Sequence, residues 1–280
     1  MTPKARISLR TMVIGGTGLA LAAGVYVAVR LLLNSGAEEL ATAVSDVGGT
    51  AVIGACALVI LYTAFGFRKG DAVGLHWKLI GAGVLVYTLG EATWSYIEVV
   101  QKSDAFPSAA DIFYVLTYVL LGAGIIMAAL GYRRLIDLRA PFAIAAVVSV
   151  ALIGGMYALL LRGTLADAEL GGLAKVLSVG YPIADVVLEF APALLIVLVA
   201  WRLGRGSFGW PWWPLALGVA IIAVSDSGFA LLDAKGLYQA GDPVDAGWML
   251  GNVLIATGAL VARDVFGLQK ASAEEALDAA

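Results

Sequence analysis

Cysteine, histidine and charged residues are all scarce in this chain of 280 residues. The single cysteine, Cys56, excludes an intrachain disulfide and a cysteine-cluster metal site. The single histidine, His76, argues against haem and most transition-metal sites, which use imidazole ligands. Charged residues make up only 14% of the chain and form no basic stripe, so we expect no nucleic-acid partner.

Several catalytic signatures are also missing. No apolar run carries the mid-membrane lysine that a retinal Schiff base requires. There is no nucleotide-binding glycine loop, nucleophile elbow or metalloprotease pair. An aspartyl membrane protease needs only two facing carboxylates and stays open, although its usual glycine motif is absent. We therefore expect a protein that is not an enzyme and uses no cofactor, and we leave metal binding open.

Hydrophobic residues, by contrast, make up 61% of the sequence and occur in long runs. Runs of about 20 apolar residues can cross ~30 Å of hydrocarbon as helices. A transmembrane barrel would show short alternating segments instead. We predict an all-α integral membrane protein, with about eight transmembrane helices arranged as four hairpins. The predicted spans are residues 12–33, 47–67, 77–100, 110–130, 141–161, 176–201, 213–233 and 244–262.

The distribution of lysine and arginine predicts the orientation of these spans. Alternate loops carry thirteen and four basic residues, and cytoplasmic loops are enriched in such residues. We expect a multi-pass protein of the bacterial inner (plasma) membrane with both termini in the cytoplasm. A single transmembrane domain would cover residues 1–265, with a short cytoplasmic tail at 266–280. The thirteen are Lys4, Arg6, Arg10, Arg68, Lys69, Lys78, Arg133, Arg134, Arg139, Arg202, Arg205, Arg263 and Lys270; the four are Lys102, Arg162, Lys175 and Lys235.

The first span has a second interpretation, as a cleaved signal peptide. A basic start is followed by an apolar stretch and by Ala-Leu-Ala-Ala-Gly at residues 20–24. The apolar run continues to Leu33, which favours a retained helix. Cleavage would leave seven spans, with the N-terminus outside.

A proline followed closely by an aspartate occurs three times, at residues 106–111, 181–185 and 242–245. All three copies are predicted to lie on the outer side of the membrane. An acidic residue just after a proline stabilises the positive end of a helix. Asp111 and Asp245 are therefore predicted to be helix-start residues or to form the rim of a pocket.

Four further carboxylates lie deeper in the predicted spans. Carboxylates inside a membrane are costly unless they are paired, protonated or hydrated. Asp185 and Glu189 lie one helical turn apart and share a face. Together with Asp111 and Asp245 they predict an outward-facing acidic and aromatic pocket for an unknown small ligand or cation. The predicted ligand-binding residues are Glu91, Asp185, Glu189, Asp226, Trp94, Tyr114, Tyr181 and Trp248; Tyr96 and Tyr118 are further candidate donors.

The second and fourth hairpins resemble each other. Glu91 precedes Asp111 by twenty residues, and Tyr114 follows Asp111 by three. In the fourth hairpin, Asp226 precedes Asp245 by nineteen residues, and Trp248 follows Asp245 by three. The offset of 135 residues between Glu91 and Asp226 indicates an internal duplication. Common constraints at helix starts are the alternative explanation.

Three segments carry a resemblance to a known family. They are FPSAADIFY at 106–114, preceded by Trp94 and Tyr96, YPIAD at 181–185, and GDPVDAGWMLG at 241–251. Together they resemble the multi-span membrane sensor region at the N-terminus of bacterial signalling proteins, where it precedes PAS, GGDEF, EAL or histidine-kinase modules. The resemblance covers roughly residues 50–265. It implies a stimulus-sensing membrane domain, here without an output module, and supplies no catalytic residues.

The leading prediction is therefore a receptor-like membrane sensor that signals through a cytoplasmic or membrane partner. A small solute or cation transporter that uses the intramembrane carboxylates is the alternative. A structural subunit of a larger membrane complex is a third reading.

Overall fold

A computed structural model describes residues 6–203 and 207–278, with side chains described as far as residue 267. Within these residues, eight helical segments are long and apolar enough to cross a membrane. The predicted all-α membrane fold with eight transmembrane helices is confirmed. Lys4 and Arg205, used for the orientation prediction, lie outside the described residues, as does the side chain of Lys270. The eight segments are Leu9–Asn34, Glu38–Phe65, Ala72–Val100, Ala110–Arg134, Arg139–Ala166, Gly172–Arg202, Ser207–Asp233 and Pro243–Gly267.

Several of these spans contain more than one helical element. Spans three, five and six each include π-helical turns, at Tyr96–Val100, Tyr157–Leu161 and Asp185–Phe190. The last helix runs without a break past its membrane-length part. The α-helices are α1 (Leu9–Asn34), α2 (Glu38–Phe65), α3 (Ala72–Ser95), α4 (Ala110–Gly131), α5 (Arg139–Met156), α6 (Arg162–Ala166), α7 (Gly172–Ala184), α8 (Ala191–Arg202), α9 (Trp212–Asp233) and α10 (Pro243–Asp278).

The second helix begins at Glu38, nine residues before the predicted start of that span at residue 47. The sequence prediction was wrong here because it followed hydropathy, and the first turns of α2 are polar. Glu38 and Glu39 stand in the first turn, where carboxylates interact favourably with the helix dipole. As a consequence, Asp46 lies inside a membrane-length helix rather than in a loop.

Helix α10 lies at the centre of one half of the bundle, where it packs against α1, α2 and α9. Helix α3 packs closely against α2 on one side and α4 on the other. In the other half, α8 packs against α4, α5 and α9. The two hairpins α3–α4 and α9–α10 thus contribute helices that reach both halves.

Equivalent contacts recur in these two hairpins at a constant offset of 134 or 135 residues. A Cβ on Gly124 would lie 3.0 Å from both His76 O and Ile80 N. A Cβ on Gly258 would lie 2.7 Å from Pro211 O and 3.4 Å from Leu215 N, which are the corresponding atoms. Both glycines therefore mark the same close crossing of a helix pair.

Two equivalent tryptophans also meet each other. Trp77 and Trp212, which lie 135 residues apart, stack with ring centroids 5.6 Å apart and planes inclined by 5°. Both side chains are buried. Contact between equivalent residues is expected where two copies of a unit meet about a local two-fold axis. These contacts support the internal duplication more directly than the sequence spacing does.

The three proline motifs occupy two kinds of position. Asp111 lies in the first turn of α4, and Pro243 begins α10. Pro182, in contrast, lies inside α7, three residues before the π-helical turns of Asp185–Phe190. Pro192 follows these turns and cannot donate to the carbonyl of Leu188, four residues earlier. Two prolines therefore flank the wider turns that carry Asp185 and Glu189.

Candidate functional site

The four deep carboxylates come together between three spans. Asp185 and Glu189, on the π-helical turns, are buried with 1% and 4% of their surface exposed. Asp226 of α9 is half-buried and close enough to Asp185, Glu189 and Glu91 of α3 for their charges to interact. We call these four residues the deep carboxylate cluster. Their convergence is the arrangement that the sequence analysis anticipated from their shared depth.

Aromatic donors on neighbouring helices hold three members of the deep carboxylate cluster. The hydroxyl of Tyr118 donates to Asp185 Oδ1 at 2.6 Å. The hydroxyl of Tyr114 donates to Glu91 Oε1 at 2.9 Å, and Trp248 Nε1 donates to Asp226 Oδ1 at 2.7 Å. The last two bonds are equivalent in the duplicated hairpins, because each joins the second helix of its hairpin to a carboxylate on the first. Tyr114 and Trp248 thus lie where the sequence placed them.

Part of the deep carboxylate cluster has no partner. Asp185 Oδ2 is buried and accepts no hydrogen bond. Glu189 forms no hydrogen bond within the described residues, and no lysine, arginine or histidine there forms an ion pair with any of the four carboxylates. Unpaired acidic groups in a dry interior cost free energy, and in membrane proteins they mark ion or ligand sites. The π-helical turns point the same way, since such turns are frequent at functional sites.

Asp111 and Asp245 both occupy helix starts, as the sequence indicates, and each also binds a tyrosine. Asp111 accepts the backbone N–H of Ser108 and the hydroxyl of Tyr181. Tyr181 therefore lies at this helix start, with its ring 6.1 Å from that of Tyr118. The arrangement joins the helix start to the deep carboxylate cluster through two tyrosines.

Asp245 has a fuller set of donors. Its Oδ2 accepts Gly241 N at 2.6 Å and Ser45 Oγ at 3.1 Å, and its Oδ1 accepts the Tyr238 hydroxyl at 3.1 Å. Burial, and then the charge of Asp245, raise the pKa of Tyr238 above its ordinary value, so this hydroxyl stays protonated and donates. Gly241 has a φ of +91°, a conformation that favours glycine and that brings its N–H onto the carboxylate.

Two carboxylates of this region were missed by the sequence analysis. Asp46 of α2 lies close to Glu98, Glu91 and Asp245, and its Oδ2 is buried without a hydrogen bond. Glu98 lies on the π-helical turns after α3 and accepts Trp94 Nε1 at 2.6 Å. A signal for Asp46 was available, because Glu39, Thr42 and Asp46 recur at helical spacing and give α2 a polar stripe.

Three side chains lie elsewhere than predicted. Trp94 contacts Glu98 on its own helix, so it belongs with Asp46 rather than with the deep carboxylate cluster. Tyr96 is 54% exposed and donates to no carboxylate. Arg30 donates to the carbonyl of Gly241 at 3.4 Å, instead of pairing with a carboxylate or extending freely to the headgroups.

A cavity of about 370 Å³ opens beside Glu98. An ion pair between Lys102 and Glu39, 3.3 Å long and largely exposed, crosses its lining and adds little stability. The deep carboxylate cluster does not line this cavity, nor an apolar groove of about 470 Å³ between α8 and α9. Within the described residues, no three histidine, cysteine, aspartate or glutamate side chains are grouped to hold a metal ion. Seven residues line the cavity: Glu39, Thr42, Glu98, Val99, Lys102, Ser103 and Asp104.

Comparison with known proteins adds no relative. No family model, curated protein or solved structure matches this chain. The resemblance to bacterial signalling sensor regions stays a prediction, and the function is argued from the geometry of the carboxylates.

Proposed function

We propose that this chain is a membrane-embedded sensor whose stimulus acts at the deep carboxylate cluster and whose response passes along α10. The observation that carries the proposal is the path of this one helix. Near its start α10 provides Asp245 and Trp248, and it continues unbroken from Pro243 to Asp278. Its 36 residues correspond to about 54 Å, well beyond the ~30 Å of a hydrocarbon core.

The proposed stimulus is a ligand that changes the charge balance of the deep carboxylate cluster, such as a proton or a small cation. Asp185, Glu189 and Asp226 repel one another when ionised, and binding of a positive charge removes that repulsion. Asp226 is tied to α10 through Trp248, so rearrangement in the cluster is transmitted to this helix. The ligand shifts the helix only by its difference in affinity between two packings of the bundle.

The basic loops favour an orientation in which both termini are cytoplasmic, in a plasma membrane. The end of α10 would then meet a signalling partner in the cytoplasm, while Asp111 and Asp245 face outward. The resemblance of residues 50–265 to bacterial sensor regions supports this assignment. The proposal includes no catalytic step.

Neutralising Asp226 tests the proposed path. The Asp226→Asn variant in nanodiscs is expected to alter amide hydrogen exchange across residues 255–267 of α10 by about fivefold or more. Asp233→Asn is the matched control, because Asp233 is an exposed carboxylate at the end of the same helix. Hydrogen-exchange mass spectrometry of both variants and the unmodified chain provides the comparison. Equal exchange in all three proteins would contradict the proposal.

Transport is the second candidate function, and the duplicated hairpins favour it. Many carriers consist of two repeats whose interface holds intramembrane carboxylates. Here Glu91 and Asp226 are equivalent residues of the two hairpins and lie close together. Flux of protons or of a monovalent cation into liposomes containing the purified chain would decide for transport. Altered exchange in α10 without flux would decide for sensing.

A further inference from the structure

Two exposed aromatic side chains near the end of α2 hold three cationic side chains from other helices. Tyr62 and Phe65 are 59% and 68% exposed. The Cζ atoms of Arg10 and Arg263 lie 5.4 and 5.6 Å from the ring centroid of Tyr62. The Nζ atom of Lys78 lies 5.0 Å from the centroid of Phe65. Since Tyr62 and Phe65 are three residues apart in one helix, these five residues form one basic-aromatic surface.

The cations of the basic-aromatic surface keep hydrogen-bond donors free. Each guanidinium has five N–H groups, and contact with a ring face occupies few of them. Within the part of the chain that the structure describes, no carboxylate forms an ion pair with Arg10, Lys78 or Arg263. The adjacent Asp264 is engaged elsewhere: its Oδ2 accepts Ser8 N and Thr11 Oγ1, each at 2.8 Å. Three positive charges therefore lie together without a counter-charge.

The position of the basic-aromatic surface indicates what supplies the counter-charge. Its residues lie in the first turn of α1, the last turn of α2, the first two turns of α3 and the end of the membrane-length part of α10. At the ends of membrane-spanning helices the surroundings are lipid headgroups, and aromatic and basic side chains are typical of this layer. Guanidinium and ammonium groups bind phosphate through charge-assisted hydrogen bonds.

We propose that Arg10, Lys78 and Arg263 bind the phosphate of an anionic phospholipid headgroup. An anionic headgroup is favoured over a zwitterionic one because the site has three positive charges and no internal partner. The bound headgroup bridges α1, α3 and α10 at the end of the bundle opposite Asp111 and Asp245. The proposal does not depend on the sensor function, since none of its residues belongs to the deep carboxylate cluster.

Native mass spectrometry of the full chain in detergent tests the site. Dioleoyl-phosphatidylglycerol and dioleoyl-phosphatidylcholine are each titrated against the unmodified chain and the Arg10→Gln/Arg263→Gln variant. The unmodified chain is expected to bind phosphatidylglycerol more tightly than phosphatidylcholine. Loss of the arginines is expected to weaken phosphatidylglycerol binding about fivefold for each residue. The single variants are measured in the same way, so that the test stands if the double variant folds poorly.

Arg133→Gln is the matched control, because Arg133 is an exposed arginine at the same end of the bundle but outside the basic-aromatic surface. It should bind phosphatidylglycerol as the unmodified chain does. Equal weakening in the control, or no weakening in the arginine variants, would overturn the proposal. Displacement of phosphatidylglycerol by millimolar inorganic phosphate would assign the site to free phosphate and would overturn the lipid source.

Discussion

Replacing Gly218 with alanine is expected to lower the free energy of unfolding by about 3 kcal/mol, through overpacking of a helix crossing. A Cβ at this position would lie 2.5 Å from Gly251 O and 3.2 Å from Ile255 N. Both atoms belong to the backbone of α10, so no side-chain rotation relieves the clash. Helices α9 and α10 would have to separate, which weakens the contact that small residues allow in lipid. Thermal or denaturant unfolding in bicelles measures the loss.

The duplicated hairpin supplies a second copy of this experiment. Gly83 of α3 is equivalent to Gly218, and a Cβ there would lie 2.9 Å from Leu121 N. Gly83→Ala is therefore expected to destabilise the protein to a similar degree. Gly155→Ala is the matched control, because a Cβ on Gly155 would meet nothing within 4 Å. It should be neutral or slightly stabilising, as alanine favours helix over glycine. A Gly218→Ala protein as stable as the control would show that this crossing is wrong.

Replacing Glu189 with methionine is expected to raise the free energy of unfolding by about 2 kcal/mol, since a buried polar group without a hydrogen bond is removed. Glu189 is 4% exposed, and methionine has a similar length and adapts to irregular spaces. The same change removes one negative charge from beside Asp226. We therefore expect a more stable protein in which α10 no longer responds to Asp226→Asn. Such an exchange of stability for function is typical of functional sites.

Glu169→Met is the control for this experiment, because Glu169 is exposed in the connection before α7. It should change neither the unfolding free energy nor the exchange of α10. A loss of more than about 1 kcal/mol in Glu189→Met would mean that Glu189 stabilises the fold. Its role would then be structural, and the deep carboxylate cluster would lose a proposed member.

Much of the fold could be predicted from the sequence, because membrane-length helices depend on composition alone. Eight apolar runs gave the number of spans, and the positions of Asp111 and Asp245 at helix starts followed from nearby prolines. The ends of the spans were less accurate where a helix starts with polar residues, as α2 does at Glu38. Hydropathy does not report on polar turns that face other helices.

The candidate site could be predicted in its members but not in its contacts. Glu91, Asp185, Glu189 and Asp226 were selected by depth, and depth was sufficient because acidic residues seldom occur there without a role. Asp46 was missed because it stood one residue outside a predicted span. The pairing of Trp94 with Glu98 depends on side-chain direction across π-helical turns, which periodicity does not provide.

The central claim is that the deep carboxylates interact within one cluster, and a double-mutant cycle between Asp226→Asn and Asp185→Asn tests it most directly. Unfolding free energies of the unmodified chain, both single variants and the double variant give the coupling energy. The cluster predicts a coupling of about 1 kcal/mol, because each substitution removes a charge that acts on the other residue. The same cycle between Asp226→Asn and Asp264→Asn, at the opposite end of the bundle, should be additive within about 0.5 kcal/mol. Additivity in the first cycle as well would contradict the cluster.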